Sequence, residues 1–139
     1  MPILKYKWIG KIASTNQWTA IRVIKRSNKW IPMVYETEIY RKFKNNLAYG
    51  LKSTGVKLEG YHDLRIKVSL WKVRDTDNCI KPVMDAMEMA GIIPNDKFIR
   101  NIVIIRAYHP KSEQDLLEIE VFKAKPQDET WAKSDELFQ

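Results

Sequence analysis

The feature that most constrains this chain is a change of hydrophobic period across one short polar stretch. Asp63 to Lys72 alternates Leu64, Ile66, Val68 and Leu70 with Arg65, Lys67 and Ser69, the two-residue period of a half-buried strand. Roughly Cys79 to Ala90 instead spaces Ile80, Val83, Met84 and Met87 as one face of a helix, with Gly91 as its stop. Pro82 has no amide hydrogen and is comfortable only in a first helical turn, so the helix starts close to Cys79. Asp75 and Asp77 then lie at a strand-to-helix corner.

Similar patterns extend to both sides. Ile3 to Ile12 and Trp18 to Lys25 read as strands, Arg26-Ser27-Asn28-Lys29 supplies turn chemistry, and Trp30 to Val34 is a short extended stretch, so the opening reads as strands with a hairpin. From about Glu36 to Lys52, Ile39, Phe43 and Leu47 recur every four residues, Tyr40 thickens the stripe, and Arg41, Lys42 and Lys44 face elsewhere. Phe98 to Tyr108 and Leu116 to Phe122 are further strands, the second alternating Leu117, Ile119 and Val121 with Glu118 and Glu120. The order predicts an α+β fold: a single domain over residues 1–125, with two main helices packed on a small mixed sheet. Beyond Pro126 the chain turns polar and acidic, and residues 126–139 are expected to form a flexible tail.

Charge is unevenly divided. Residues 1–57 hold twelve Lys and Arg against only Glu36 and Glu38, a net of +10, while residues 126–139 carry a net of −3. Phosphate neutralisation supplies most non-specific nucleic-acid affinity, so this asymmetry points to a polyanion partner rather than a merely solvated surface. Cys79 is the single cysteine, which excludes an internal disulfide and a thiolate zinc site, and His62 and His109 lie too far apart for a local metal motif. The N-terminus lacks the order of a signal peptide, and no apolar run approaches the ~20 residues that cross a bilayer. A soluble cytoplasmic protein is expected.

The chemistry is concentrated in Arg74-Asp75-Thr76-Asp77-Asn78-Cys79-Ile80-Lys81 and in Pro94-Asn95-Asp96. Two carboxylates one residue apart on extended backbone project to the same side and can reach one cation. Hard ions such as Mg²⁺ take oxygen ligands, so two or three carboxylates with a substrate phosphate suffice, and Asp96 can return to complete the set. Lys81, on the first turn of the helix, is placed to oppose the negative charge of a phosphodiester transition state. The bland alternative is a capped helix, since Asp77 and Asn78 are ordinary N-cap types and Lys81 with Asp85 is an ordinary i, i+4 pair. Clustering four acids and a lysine around one helix start favours a site, because carboxylates repel unless a cation or base neutralises them.

Asp75-x-Asp77-Asn78-x-x-Lys81-x-x-x-Asp85-Ala86, then Ala90-Gly91 and Asn95-Asp96, resembles the signature of the RusA family of Holliday-junction resolvases. The match runs without a gap from Val73 to Lys97 and is weaker outside it. Ser14-Thr15-Asn16 resembles the family's Ser-x-Asn near the N-terminus, and the basic helix with Tyr40, Arg41 and Lys44 occupies the expected place. The resemblance implies a crossover junction endodeoxyribonuclease of recombination and repair, acting as a homodimer on four-way junction DNA of a nucleoid or phage. It further implies Asp75, Asp77 and Asp96 as acids of a Mg²⁺ site, in which Mn²⁺ can substitute, and Lys81 as the essential lysine. One departure is Asn95, where the family commonly has an aspartate; its carbonyl oxygen can still coordinate, but it brings no charge.

The expected DNA contacts are Asn16, Lys25, Arg26, Lys29, Trp30, Arg41, Lys44 and Arg74, with Trp30 the best candidate for an exposed ring that stacks on unpaired bases. Trp8, Trp18 and Trp71 read as core residues, the two histidines as turn residues, and Cys79 as a small helix-start side chain. Two rival readings remain: a non-catalytic DNA-binding module in which the acids only cap the helix, and a nuclease of the same fold that acts on flaps or linear duplex.

Overall fold

The computed structural model describes residues 1–13, 19–71, 79–109 and 113–124. The elements run β1 (Leu4–Gly10), β2 (Thr19–Arg26), β3 (Lys29–Glu36), α1 (Glu38–Ser53), β4 (His62–Leu70), α2 (Ile80–Met89), a single 3-10 turn (Asp96–Phe98), β5 (Ile99–Tyr108) and β6 (Asp115–Lys123). The expected 126–139 tail lies outside the described residues.

Four strands form a mixed sheet in the order β1-β6-β4-β5, in which β4 and β5 are parallel and the other neighbours antiparallel. The parallel pair follows from α2, which lies between those strands in sequence and supplies the crossover a parallel connection needs. Leu64, Ile66 and Val68 of β4 and Leu117, Ile119 and Val121 of β6 point to one face and are buried. The other face carries Lys7 and Lys67 on either side of Glu118, at 3.5 and 3.9 Å. Alternation in the sequence thus becomes one apolar and one charged face, and the apolar one is covered by the helices.

Thr37 caps α1, its side chain accepting the Tyr40 amide at 3.2 Å. The buried stripe of that helix is Tyr40, Phe43, Leu47, Ala48 and Leu51. Ile39, expected in the stripe, is exposed, because the helix is rotated to put the larger Tyr40 ring against α2. The buried face of α2 is Pro82, Val83, Met84, Ala86 and Met87, with Ile80 half-buried at its edge. Trp8 packs edge-on against Phe43 at 5.0 Å between centroids, joining α1 to β1. His62, expected in a turn, instead opens β4 and is buried, its Nδ1 3.1 Å from the Gly60 carbonyl.

β2 and β3 do not join this sheet. They form a two-stranded ribbon, and its contacts are almost wholly between its own strands. Ser27 and Asn28 turn it with φ of 49° and 62°, the left-handed pair that suits the twist of a two-residue hairpin. No helix among the described residues is long and apolar enough to cross a membrane.

Candidate functional site

An open cleft of about 370 Å³ lies beside the start of α2, lined by Ile80, Lys81, Met84, Asp85 and, from the following segment, Asp96, Ile99 and Ile102. It brings together two of the four residues expected to carry catalysis, Lys81 and Asp96. The other two, Asp75 and Asp77, lie outside the described residues, as do Arg74 and Asn16. The segment that holds both aspartates leaves the described structure after Trp71 and re-enters at Cys79, immediately before Ile80 and Lys81 of the cleft.

Asp96 reaches the cleft because α2 ends sharply. Gly91 adopts φ +74°, its amide bonds the Glu88 carbonyl at 3.0 Å, and the Ile92 amide bonds that of Met87 at 2.9 Å, a Schellman turn that sends the chain back along the helix. Ile92 and Ile93 anchor the turn in the core. The Asp96 amide then donates to the Glu88 carboxylate at 2.7 Å, which fixes the backbone of Asp96 to α2. Its own carboxylate is left exposed at the cleft. The Asn95 side-chain oxygen, expected to be available to a metal, accepts the Lys97 amide at 3.0 Å and caps the 3-10 turn. Asn95 therefore has a local structural use.

The N-cap of α2 is Cys79, whose buried side chain makes no cap hydrogen bond. Asp77 and Asn78, the residues of the capping alternative, lie outside the described residues. Lys81 Nζ lies 3.4 Å from Asp85 Oδ2, and the Tyr40 hydroxyl donates to that same oxygen at 3.5 Å. The Tyr40 phenol is pushed well above its ordinary pKa, first by burial and then by the Asp85 and Glu36 carboxylates, so it stays a neutral donor at any working pH.

The expected DNA contacts separate into two groups. Lys25 pairs with Trp30 and Arg26 with Lys29 in the last two rungs of the ribbon. Trp30 is 69% exposed, with the Lys25 ammonium 5.8 Å from its ring centre. Between Thr19 and Tyr35 the ribbon carries four cations and no acid. Arg41 is exposed on α1, but the Lys44 side chain is only 13% exposed and holds Glu36 at 3.0 and 3.1 Å. Lys44 is committed within the protein by this ion pair, whereas the ribbon cations Arg22 and Lys25 rest over the rings of Tyr35 and Trp30.

Sequence reasoning missed Glu88, and also Asp115, which is wholly buried and accepts the Ile12 amide at 2.9 Å and the Trp71 amide at 3.3 Å. A signal for Asp115 existed: the inward phase of Val121, Ile119 and Leu117 extends back to it by steps of two. Glu88 had no such signal.

A sequence model of the family Endodeoxyribonuclease RusA matches residues 19–122, from the first residue of the ribbon into the last strand. The chain belongs to the RusA endodeoxyribonuclease family. Membership implies endodeoxyribonuclease activity, and the RusA match takes in the ribbon, both helices, the cleft and every expected site residue except Asn16. A comparison with curated proteins finds no match.

Proposed function

We propose that this RusA-family chain resolves four-way DNA junctions as a divalent-metal-dependent endonuclease, working as a homodimer on nucleoid or phage DNA in the cytoplasm. The observation that supports this most directly is the meeting of Lys81 and Asp96 at one cleft. Ile80 and Lys81 of that cleft follow the segment that carries Asp75 and Asp77 in the sequence.

The proposed ligand set is Asp75, Asp77 and Asp96, all carboxylate oxygen, which suits Mg²⁺ or Mn²⁺. Among the described residues no group of three His, Cys, Asp or Glu gathers, so the set depends on the two corner aspartates. Asp96 fits its part, exposed at the cleft on a backbone fixed by Glu88. A bound divalent cation would offset phosphate charge and lower the pKa of water there. The chain's own contribution is Lys81. In phosphodiester hydrolysis a water oxygen bonds to phosphorus, the P–O3′ bond breaks, and the 3′ oxygen leaves and takes up a proton. The Lys81 ammonium opposes the negative charge that builds on the phosphoryl oxygens and the leaving oxygen.

Recognition falls to the basic ribbon and Arg41, with Arg74 and Asn16 as further contacts. Phosphate contacts fix position without reading sequence, so shape is what such a surface selects. Two symmetric nicks require two sites, which a two-fold dimer supplies.

The test compares a four-way junction, a flap and a linear duplex of matched sequence, with Mg²⁺ and with EDTA. The expected result is paired nicking of the junction in Mg²⁺ only, with junction affinity about tenfold or more above duplex, a preference of ~1.4 kcal/mol. Equal affinity for duplex would replace the resolvase with a general nuclease. Binding without any nicking in Mg²⁺ would leave a DNA-binding module.

A further inference from the structure

Tyr40 is not itself part of the cleft lining, yet its hydroxyl ends on the carboxylate of Asp85, which lines the cleft and holds the expected catalytic lysine. The Lys81–Asp85 pair is weak by itself. Lys81 lies on the N-terminal side of its partner, the less favourable order for an i, i+4 pair, and its side chain is 60% exposed. An unbraced lysine of that kind samples many rotamers, and ordering it at the moment of reaction costs rate.

The surroundings of Tyr40 supply what the pair lacks. The ring is 1% exposed, and its backbone amide is held by the Thr37 cap at 3.2 Å. The Lys44 ammonium lies 5.1 Å from the ring centre and is itself fixed by Glu36 at the end of β3. The phenol therefore has little freedom, and it presents its O–H to Asp85 Oδ2, the oxygen that faces Lys81. Both contacts to that oxygen are long, at 3.5 and 3.4 Å, so the carboxylate sits between two donors and turning toward solvent would forfeit both.

We infer that Tyr40 is a positioning residue for phosphodiester cleavage, acting through Asp85 to hold the Lys81 ammonium at the cleft. This inference rests on the nuclease reading for its rate consequence, though its geometric content stands apart from it. Tyr40→Phe keeps the buried ring and removes only the hydroxyl, and Asp85→Asn keeps an acceptor for Tyr40 while ending the charge pair with Lys81.

The experiment measures three quantities on wild-type protein and both variants: single-turnover junction cleavage at saturation, junction affinity without metal, and NMR relaxation of the Lys81 Cε group. The expected result is a cleavage rate lower by about tenfold in each variant, the scale of one lost hydrogen bond to a charged group, with affinity unchanged. Lys81 Cε should become more mobile in both. A merely structural tyrosine would leave Lys81 mobility as it was, and unchanged mobility or an unchanged rate in Tyr40→Phe overturns the inference. If the wild-type protein cuts no DNA in Mg²⁺, the nuclease reading fails, and the relaxation measurement still decides whether Tyr40 braces Lys81.

Discussion

The carboxylate of Asp115 meets the backbone amide of Trp71 at 3.3 Å, joining the first residue of β6 to the residue that follows β4. Its other oxygen accepts the Ile12 amide at 2.9 Å. One buried side chain thus anchors the residues just ahead of Ser14-Thr15-Asn16 and just ahead of Arg74 to Asn78. Asp115→Asn replaces one acceptor with an N–H that confronts another N–H. It should lower stability by about 1.5–3 kcal/mol, read from urea unfolding midpoints, and slow cleavage as well. Unchanged stability would mean that the two amides are readily satisfied another way.

The acidic centre predicts a separation of binding from cutting. Asp75→Asn, Asp77→Asn and Asp96→Asn should each abolish nicking and leave the fold intact. Junction binding in metal-free buffer should be as tight or tighter, because each change removes negative charge near phosphate. Retained cleavage in the Asp75 and Asp77 variants would remove them from the site.

Lys81→Ala should lose cleavage far more than affinity. A single phosphate contact contributes only about 0.9 to the slope of log affinity against log salt, so binding should change little. Cleavage at saturation should be lost. A variant that binds weakly yet cuts normally when saturated would make Lys81 an anchor for the backbone.

At the ribbon end, Trp30→Ala should weaken junction binding by about tenfold, within the range of one base stacked on an aromatic ring, and weaken duplex binding less. Trp30→Phe should retain most of the affinity. Because the ring is 69% exposed, the unfolding midpoint should barely move. Equal losses on junction and duplex would assign Trp30 a role in holding the ribbon rather than in stacking.

The local patterns that needed no distant partner were legible in the chain itself. The two-residue period of β4 and β6, the helical spacing of α2, the stop at Gly91 and the turn at Ser27-Asn28 are set by sterics and by burial of one face. The i, i+4 relation of Lys81 to Asp85 was equally visible, since helix geometry alone places those residues together. Tertiary structure decided which elements became neighbours. The strand order β1-β6-β4-β5 and the turn after α2 brought Asp96 beside Lys81, and the ribbon stayed out of the main sheet. The packing of α1 on α2 exposed Ile39 and put Tyr40 on Asp85, while the Glu36 pair drew Lys44 into the protein. Periodicity records which face of an element is buried. It does not record which residue, far away in sequence, will lie against that face, because that choice is made by packing and hydrogen bonding among elements already formed.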